Sequence, residues 1–128
     1  MGYCMSQMKG KFMLKNENVS GAWKTVKELF KEEKEIGWAT QDEIENCSSF
    51  EQVMDVCSFK ITSNENGDYD SIDFIGEKHG DQDIIFNAMA RYVEDGSYIQ
   101  MLGEDGTIWR WVFENGKCVE KVVNITFE

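Results

Sequence analysis

With 128 residues, 41% of them apolar and 12% aromatic, the chain is long enough to bury one core and too apolar for wholesale disorder, so a single domain over residues 1–128 is expected. The formal net charge of −11 is unevenly spread: residues 1–40 carry seven Lys against five Glu, a net of +2, and residues 41–128 carry six Lys or Arg against nineteen Asp or Glu, a net of −13. Such a charge disfavours direct binding to nucleic acid or to an anionic membrane, and favours either a basic protein surface as partner or simple solubility.

Residues 1–15 contain no apolar run of signal-peptide length, and nowhere do about 18 apolar residues follow one another, so a cytoplasmic chain without a membrane span is expected. Cys4, Cys47, Cys57 and Cys118 lie far apart with no C-x-x-C pair. That spacing predicts four reduced thiols, mostly in the core, rather than a disulfide framework or a zinc site. No cofactor is expected.

In chain order, the apolar run Lys11 to Leu14 predicts a first strand. Asn18 is placed to cap a helix over Val19 to Glu35, in which Ala22, Trp23, Val26, Leu29 and Phe30 follow the 3.6 period, and Gly37 is placed to end it. Trp38 to Asn46 reads as a connection. Ser48 with Glu51, or Ser49 with Gln52, offers a capping box for a short helix holding Phe50, Val53 and Met54. Phe59 and Ile61, the turn Asn66-Gly67, then Ile72 and Phe74 predict a β-hairpin. Asp81 is placed to cap a second helix, over Gln82 to Val93, with Ile84, Ile85, Ala88, Met89 and Tyr92 on one stripe and Gly96 closing it. From Ser97 the period becomes 2, and two Asx-Gly turns divide Tyr98 to Leu102, Thr107 to Phe113 and Cys118 to Phe127 into a three-stranded meander. The expected class is therefore α+β: an antiparallel-rich sheet with two amphipathic helices on one face, a ferredoxin-like split βαβ core and an added C-terminal β-hairpin.

Catalytic signatures are missing from this pattern. His79 is the lone histidine and reads as a surface loop residue, no cysteine-protease signature surrounds any Cys, and no G-x-S-x-G, Walker or G-x-G-x-x-G motif occurs. The expectation is a non-enzymatic protein. Asn64 to Asp70 is rich in carboxylates, but its spacing fails the EF-hand pattern, and it reads as a solvated hairpin turn with no metal. Between Glu65 and Asp83 the carboxylates of Glu65, Asp68, Asp70, Asp73, Glu77, Asp81 and Asp83 stand against one Lys78. Two readings stay open: a hydrated face with a helix cap, or a line of negative charge that occupies a basic nucleic-acid groove of another protein by presenting carboxylates where phosphates would lie. In Trp109-Arg110-Trp111 the two indoles share one strand face with Phe113, which predicts core packing, and leave Arg110 on the other face as a partner-binding candidate.

The stretch Tyr92-Val93-Glu94-Asp95-Gly96-Ser97-Tyr98-Ile99, with Gly103-Glu104-Asp105-Gly106 and Trp109-Arg110-Trp111-Val112-Phe113, resembles small acidic proteins of bacterial phages and mobile genetic elements. The likeness covers the last third of the chain and, loosely, Met1-Gly2-Tyr3. It implies no activity and carries over no functional residue; it implies a setting in which small acidic proteins inhibit host defence enzymes, CRISPR effectors among them. The functional expectation is an acidic binding protein, an inhibitor of a nucleic-acid-acting defence enzyme. The alternative is a structural or oligomerising domain whose acidity keeps it soluble.

Overall fold

The computed structural model describes residues 3–78 and 80–123, and within them the chain is α+β. Four antiparallel strands form the main sheet in the order β1-β6-β7-β8: β1 (Met5–Lys11), β6 (Tyr98–Gly103), β7 (Ile108–Glu114) and β8 (Lys117–Val123). Two smaller antiparallel pairs accompany it, β2 (Glu35–Ile36) with β3 (Ala39–Thr40), and β4 (Phe59–Ser63) with β5 (Tyr69–Phe74). The predicted meander is present as β6, β7 and β8, with Gly106 and Gly116 at φ +86° and +75° in its two turns. Only glycine takes such angles without strain. The part of the third run after Val123, including Phe127, lies outside the described residues.

The first strand is not at Lys11 to Leu14 but at Met5–Lys11. Its register shifts between Gln7 and Lys9, so Met8 is an extra residue and the alternation that would reveal a strand is broken. Phe12 and Leu14 are buried beyond the strand end, where Leu14 and Tyr69 exchange two backbone hydrogen bonds of 2.8 Å.

Helix α1 (Asn16–Glu33) buries Ala22, Val26 and Phe30 at the predicted period, but it begins two residues before the Asn18 cap and ends at Lys34, whose N–H bonds the Phe30 carbonyl. Lys34 takes a positive φ of 66°, and Gly37, predicted to close the helix, forms instead the tight turn between β2 and β3. The stretch read as a connection also contains α2 (Gln41–Glu45), opened by a Thr40-Glu43 capping box. Helix α3 (Phe50–Val56) starts as predicted at Ser49, whose hydroxyl accepts the Gln52 N–H at 3.2 Å.

Helix α4 (Gln82–Met89) is shorter than predicted, because Ala90–Tyr92 tightens into a 3-10 turn. Its buried stripe is Ile85, Phe86 and Met89; Ile84, expected there, is 43% exposed. Phe86 takes that place because it fills the space between strands, with ring centroids 5.0 Å from Phe59, 5.2 Å from Trp111 and 5.7 Å from Phe113. Trp109, Trp111 and Phe113 thus face the core, as their alternation predicts. Among the described residues no helix is long and apolar enough to cross a membrane.

Candidate functional site

A side chain, not a backbone ladder, joins the β4-β5 hairpin to the main sheet. Strand β5 runs antiparallel beside β1, tied at the ends by bridges between Cys4 and Lys78 and between Leu14 and Tyr69. Between those ties the sheet is split. Gln7 spans the split: its Nε2 donates to the Ile72 carbonyl and its Oε1 accepts the Phe74 N–H, both at 2.8 Å. Those two backbone groups flank Asp73 on one strand edge, and a neighbouring strand would satisfy them with its own peptide groups. A carboxamide carries the same donor and acceptor as a peptide, so one Gln replaces that contact. The remaining opening is a cleft of about 570 Å³, whose walls include Lys9 from β1 and Asp70 and Asp73 from β5.

The seven carboxylates of the acidic segment do not form one line. Glu65, Asp70 and Asp73 stand exposed on the hairpin, Asp70 weakly held by Asn64 Nδ2 at 3.4 Å and Asp73 opposite Lys60 on β4 without an ion pair. Glu77, with Lys78, borders a separate hollow beneath Trp38, while Asp83 lies by Cys118 and Glu120 where α4 meets β8. Asp68 serves the fold itself. Its Oδ1 accepts the Asn16 N–H at 2.8 Å, so the side-chain acceptor that α1 lacks at its own cap residue, Lys15, comes from the hairpin, and its charge adds to that of Glu17 in the first turn. Asp81 stands at the cap position of α4 but makes no capping bond, since its φ of 60° turns the side chain away. The buried Gln82 orders that entry instead, accepting the Gly80 N–H at 2.7 Å. His79 lies outside the described residues.

Arg110 is far from this acidic set in the fold. It sits on the opposite face of β7 from the indoles, its guanidinium 4.3 Å above the Tyr98 ring and its Nε–H donating to Gln100 Oε1 at 2.7 Å. Gln100, only 6% exposed, also reaches Met8 Sδ at 3.4 Å. The cation is therefore held flat on the sheet by a stacked ring and a buried amide. Sequence reading found Arg110 but not its two supports, nor Gln7; Gln100 and Tyr98 were findable, since both alternate with core residues on β6.

No disulfide joins the cysteines, and among the described residues no group of three or more His, Cys, Asp or Glu is placed to hold a metal. Burial pushes the thiols of Cys57 and Cys118 up to about 12, with Asp83 and Glu120 adding to the effect at Cys118. Burial and the Glu51 carboxylate, which accepts the Tyr69 hydroxyl at 3.0 Å, likewise push Tyr69 up to about 12. A raised thiol stays protonated and unreactive at neutral pH. Native protein treated with a thiol reagent at pH 8 is expected to be labelled first at exposed Cys4, more slowly at the half-buried Cys118, and at the buried Cys57 only once unfolded. Peptide mapping that found Cys57 labelled as fast as Cys4 would contradict this burial.

Compared with protein-family models, with curated proteins and with solved structures, the chain matches none.

Proposed function

We propose that the chain is a non-enzymatic, acidic inhibitor that binds the basic nucleic-acid channel of another protein, such as a CRISPR effector nuclease, in the cytoplasm. The contact is the β4-β5 hairpin, with Glu65, Asp70 and Asp73 at its centre and Glu77, Asp81 and Asp83 toward its flank. One observation carries this reading. Among the described residues none of the seven carboxylates from Glu65 to Asp83 has a cation within 4.0 Å, and all but Asp68 are exposed. Their charge is therefore not taken up in close ion pairs with the protein's own lysines, and it steers a cationic surface toward the hairpin. The origin on a phage or mobile element that the last third of the chain suggests fits such a role.

The scaffold belongs to the same proposal. A ferredoxin-like split βαβ core with an added hairpin accounts for β6 beside β1, β5 across the split from β1, β4 beyond it, and β7-β8 extending the far edge. In that arrangement a hairpin tied to β1 by its end bridges and by Gln7 projects its charges at the sheet margin.

Cleavage of DNA by purified effector nucleases carrying their guide RNA tests the proposal. Added before target DNA, the chain is expected to inhibit cleavage, and excess DNA is expected to relieve the inhibition, because both ligands need one channel. Absence of binding and of inhibition across a panel of such nucleases would leave the acidity as a solubility device.

A further inference from the structure

We infer that the open face of the main sheet is a docking surface for single-stranded nucleic acid. Residues on this face alternate with the buried Ile99, Met101, Trp109, Trp111 and Phe113, and cross-strand partners point to the same side. Six cations lie there, Lys9 and Lys11 on β1, Arg110 on β7, Lys117 and Lys121 on β8 and Lys60 on β4, against the two carboxylates of Asp73 and Glu114, a net of +4 on a chain of −11. Among the described residues Lys121 is paired, at 3.1 Å, with Glu114, and the other five cations have no carboxylate within 4.0 Å. The overall charge disfavours a polyanion as ligand, but folding gathers unpaired base on this one face.

Strand register sets these charges in a pattern. Lys9, Gln100, Arg110 and Lys121 are successive partners across β1, β6, β7 and β8, a row about 14 Å long at the spacing of paired strands. The next row on one side is Tyr98, Val112 and Val119, with Lys11 at its β1 end, and on the other side it is Leu102 and Ile108. A line of cations between two apolar strips fits a ligand that is a line of negative charge bearing flat apolar groups. A single strand is such a ligand, with its phosphates on the row and its bases on the strips. Arg110 adds a stacking plane: Tyr98 backs its guanidinium at 4.3 Å and Gln100 fixes its Nε, which leaves the other plane to a base and the remaining donors to a phosphate. Asp73, across the cleft from Lys9, repels phosphate and closes the path on that side. A duplex fits poorly, because its bases are stacked within and its grooves admit a helix or a two-stranded ribbon, not a broad flat sheet. A peptide rich in Asp and Glu satisfies the row and leaves the strips to water. Repulsion from carboxylates elsewhere on the chain opposes approach, but at physiological salt it is screened over about 8 Å, while contacts on the row are screened much less.

Fluorescence anisotropy of a labelled mixed-sequence oligonucleotide tests the inference, with purified full-length chain titrated into single-stranded DNA, single-stranded RNA and duplex DNA between about 0.05 and 0.2 M salt. A single strand is expected to bind about tenfold or more tightly than the duplex; DNA alone, RNA alone or both supports the inference, and a preference identifies the source. Arg110→Lys keeps the charge and removes the stacking plane, so it is expected to raise the dissociation constant about fivefold or more with the salt dependence unchanged. Lys9→Gln, at an exposed position, is expected to weaken every single strand alike and to lower the slope of log affinity against log salt by about 0.7, the share of one phosphate contact. Melting curves establish that each variant is folded. No binding of either single strand at about 0.05 M salt, a duplex held as tightly as a single strand, or affinity indifferent to both substitutions would overturn the inference. So would poly-glutamate held as tightly as a single strand, which would make an acidic protein the occupant. The titration contains no effector nuclease, and the duplex that competes for an effector's channel is not a ligand of this face, so this inference and the reading of the hairpin can fail separately.

Discussion

Replacing Phe86 by Ala is expected to lower the free energy of unfolding by about 3 to 5 kcal/mol, the range for removing a buried phenylalanine ring, and is among the most damaging single changes available to the fold. Phe86 is 1% exposed and stands where α4, the β4-β5 hairpin and the main sheet meet, against Phe59, Trp111 and Phe113. Removing it forfeits the transfer energy of the ring and leaves a cavity whose walls, being rigid aromatic rings, collapse poorly. Phe86→Leu keeps most of the volume and is expected to cost about half as much or less. Urea unfolding followed by tryptophan fluorescence measures both. A loss under about 1 kcal/mol for Phe86→Ala would mean that α4 does not hold the two sheets together.

Gln7→Leu is expected to cost about 2 to 4 kcal/mol, because it leaves the Ile72 carbonyl and the Phe74 N–H without partners at a half-buried strand edge, at about 1 to 3 kcal/mol for each such group and less where water reaches in. Leucine is one carbon shorter but more apolar, so most of the loss is expected to come from the two 2.8 Å hydrogen bonds. Gln7→Glu keeps the acceptor for the Phe74 N–H, loses the donor to Ile72 and adds a charge near Asp70 and Asp73, so an intermediate loss is expected. Hydrogen exchange resolves the effect by position: in Gln7→Leu the Phe74 amide is expected to exchange far faster, while the Trp111 amide within the main sheet changes only with global stability. Unchanged protection at Phe74 would show that the hairpin is held by the end bridges alone.

What could be read from the sequence, and what could not, divides along the range of the interactions. Local signals were legible. The Asx-Gly turns located β6, β7 and β8, the 3.6 period located α1, and the alternation around Trp109-Arg110-Trp111 placed both indoles inward and Arg110 outward. The capping box at Thr40 and Glu43 was equally legible and passed over, because so short a helix carries only one buried residue, Ile44. Features that depend on distant partners left no local trace. Strand β1 hides its period in a bulge, α1 takes its first acceptor from Asp68, fifty-two positions away, and Gln7 finds its partners sixty-five and sixty-seven positions on.

Charge behaved in the same way. The excess of carboxylates between Glu65 and Asp83 is plain in the sequence, but their distribution is not: folding separates the hairpin group from Glu77 and from Asp83, and assigns Asp68 to α1. A substitution series that included Asp68 would confuse binding with helix stability, since the loss of a cap costs about 0.5 to 2 kcal/mol. Glu65, Asp70 and Asp73 are the residues that separate the two.

The most direct measurement is therefore the affinity of the triple variant Glu65→Gln, Asp70→Asn, Asp73→Asn for a guide-loaded effector nuclease that binds the wild type, compared by titration at low salt, where electrostatic attraction is strongest. These changes keep side-chain shape and remove only charge, so unfolding curves should stay within about 1 kcal/mol of the wild type. With the hairpin seated in a basic channel, the dissociation constant is expected to rise about a hundredfold or more, as the loss of even one or two desolvated charge contacts requires. Equal affinity of the folded variant and the wild type at low salt would contradict the account.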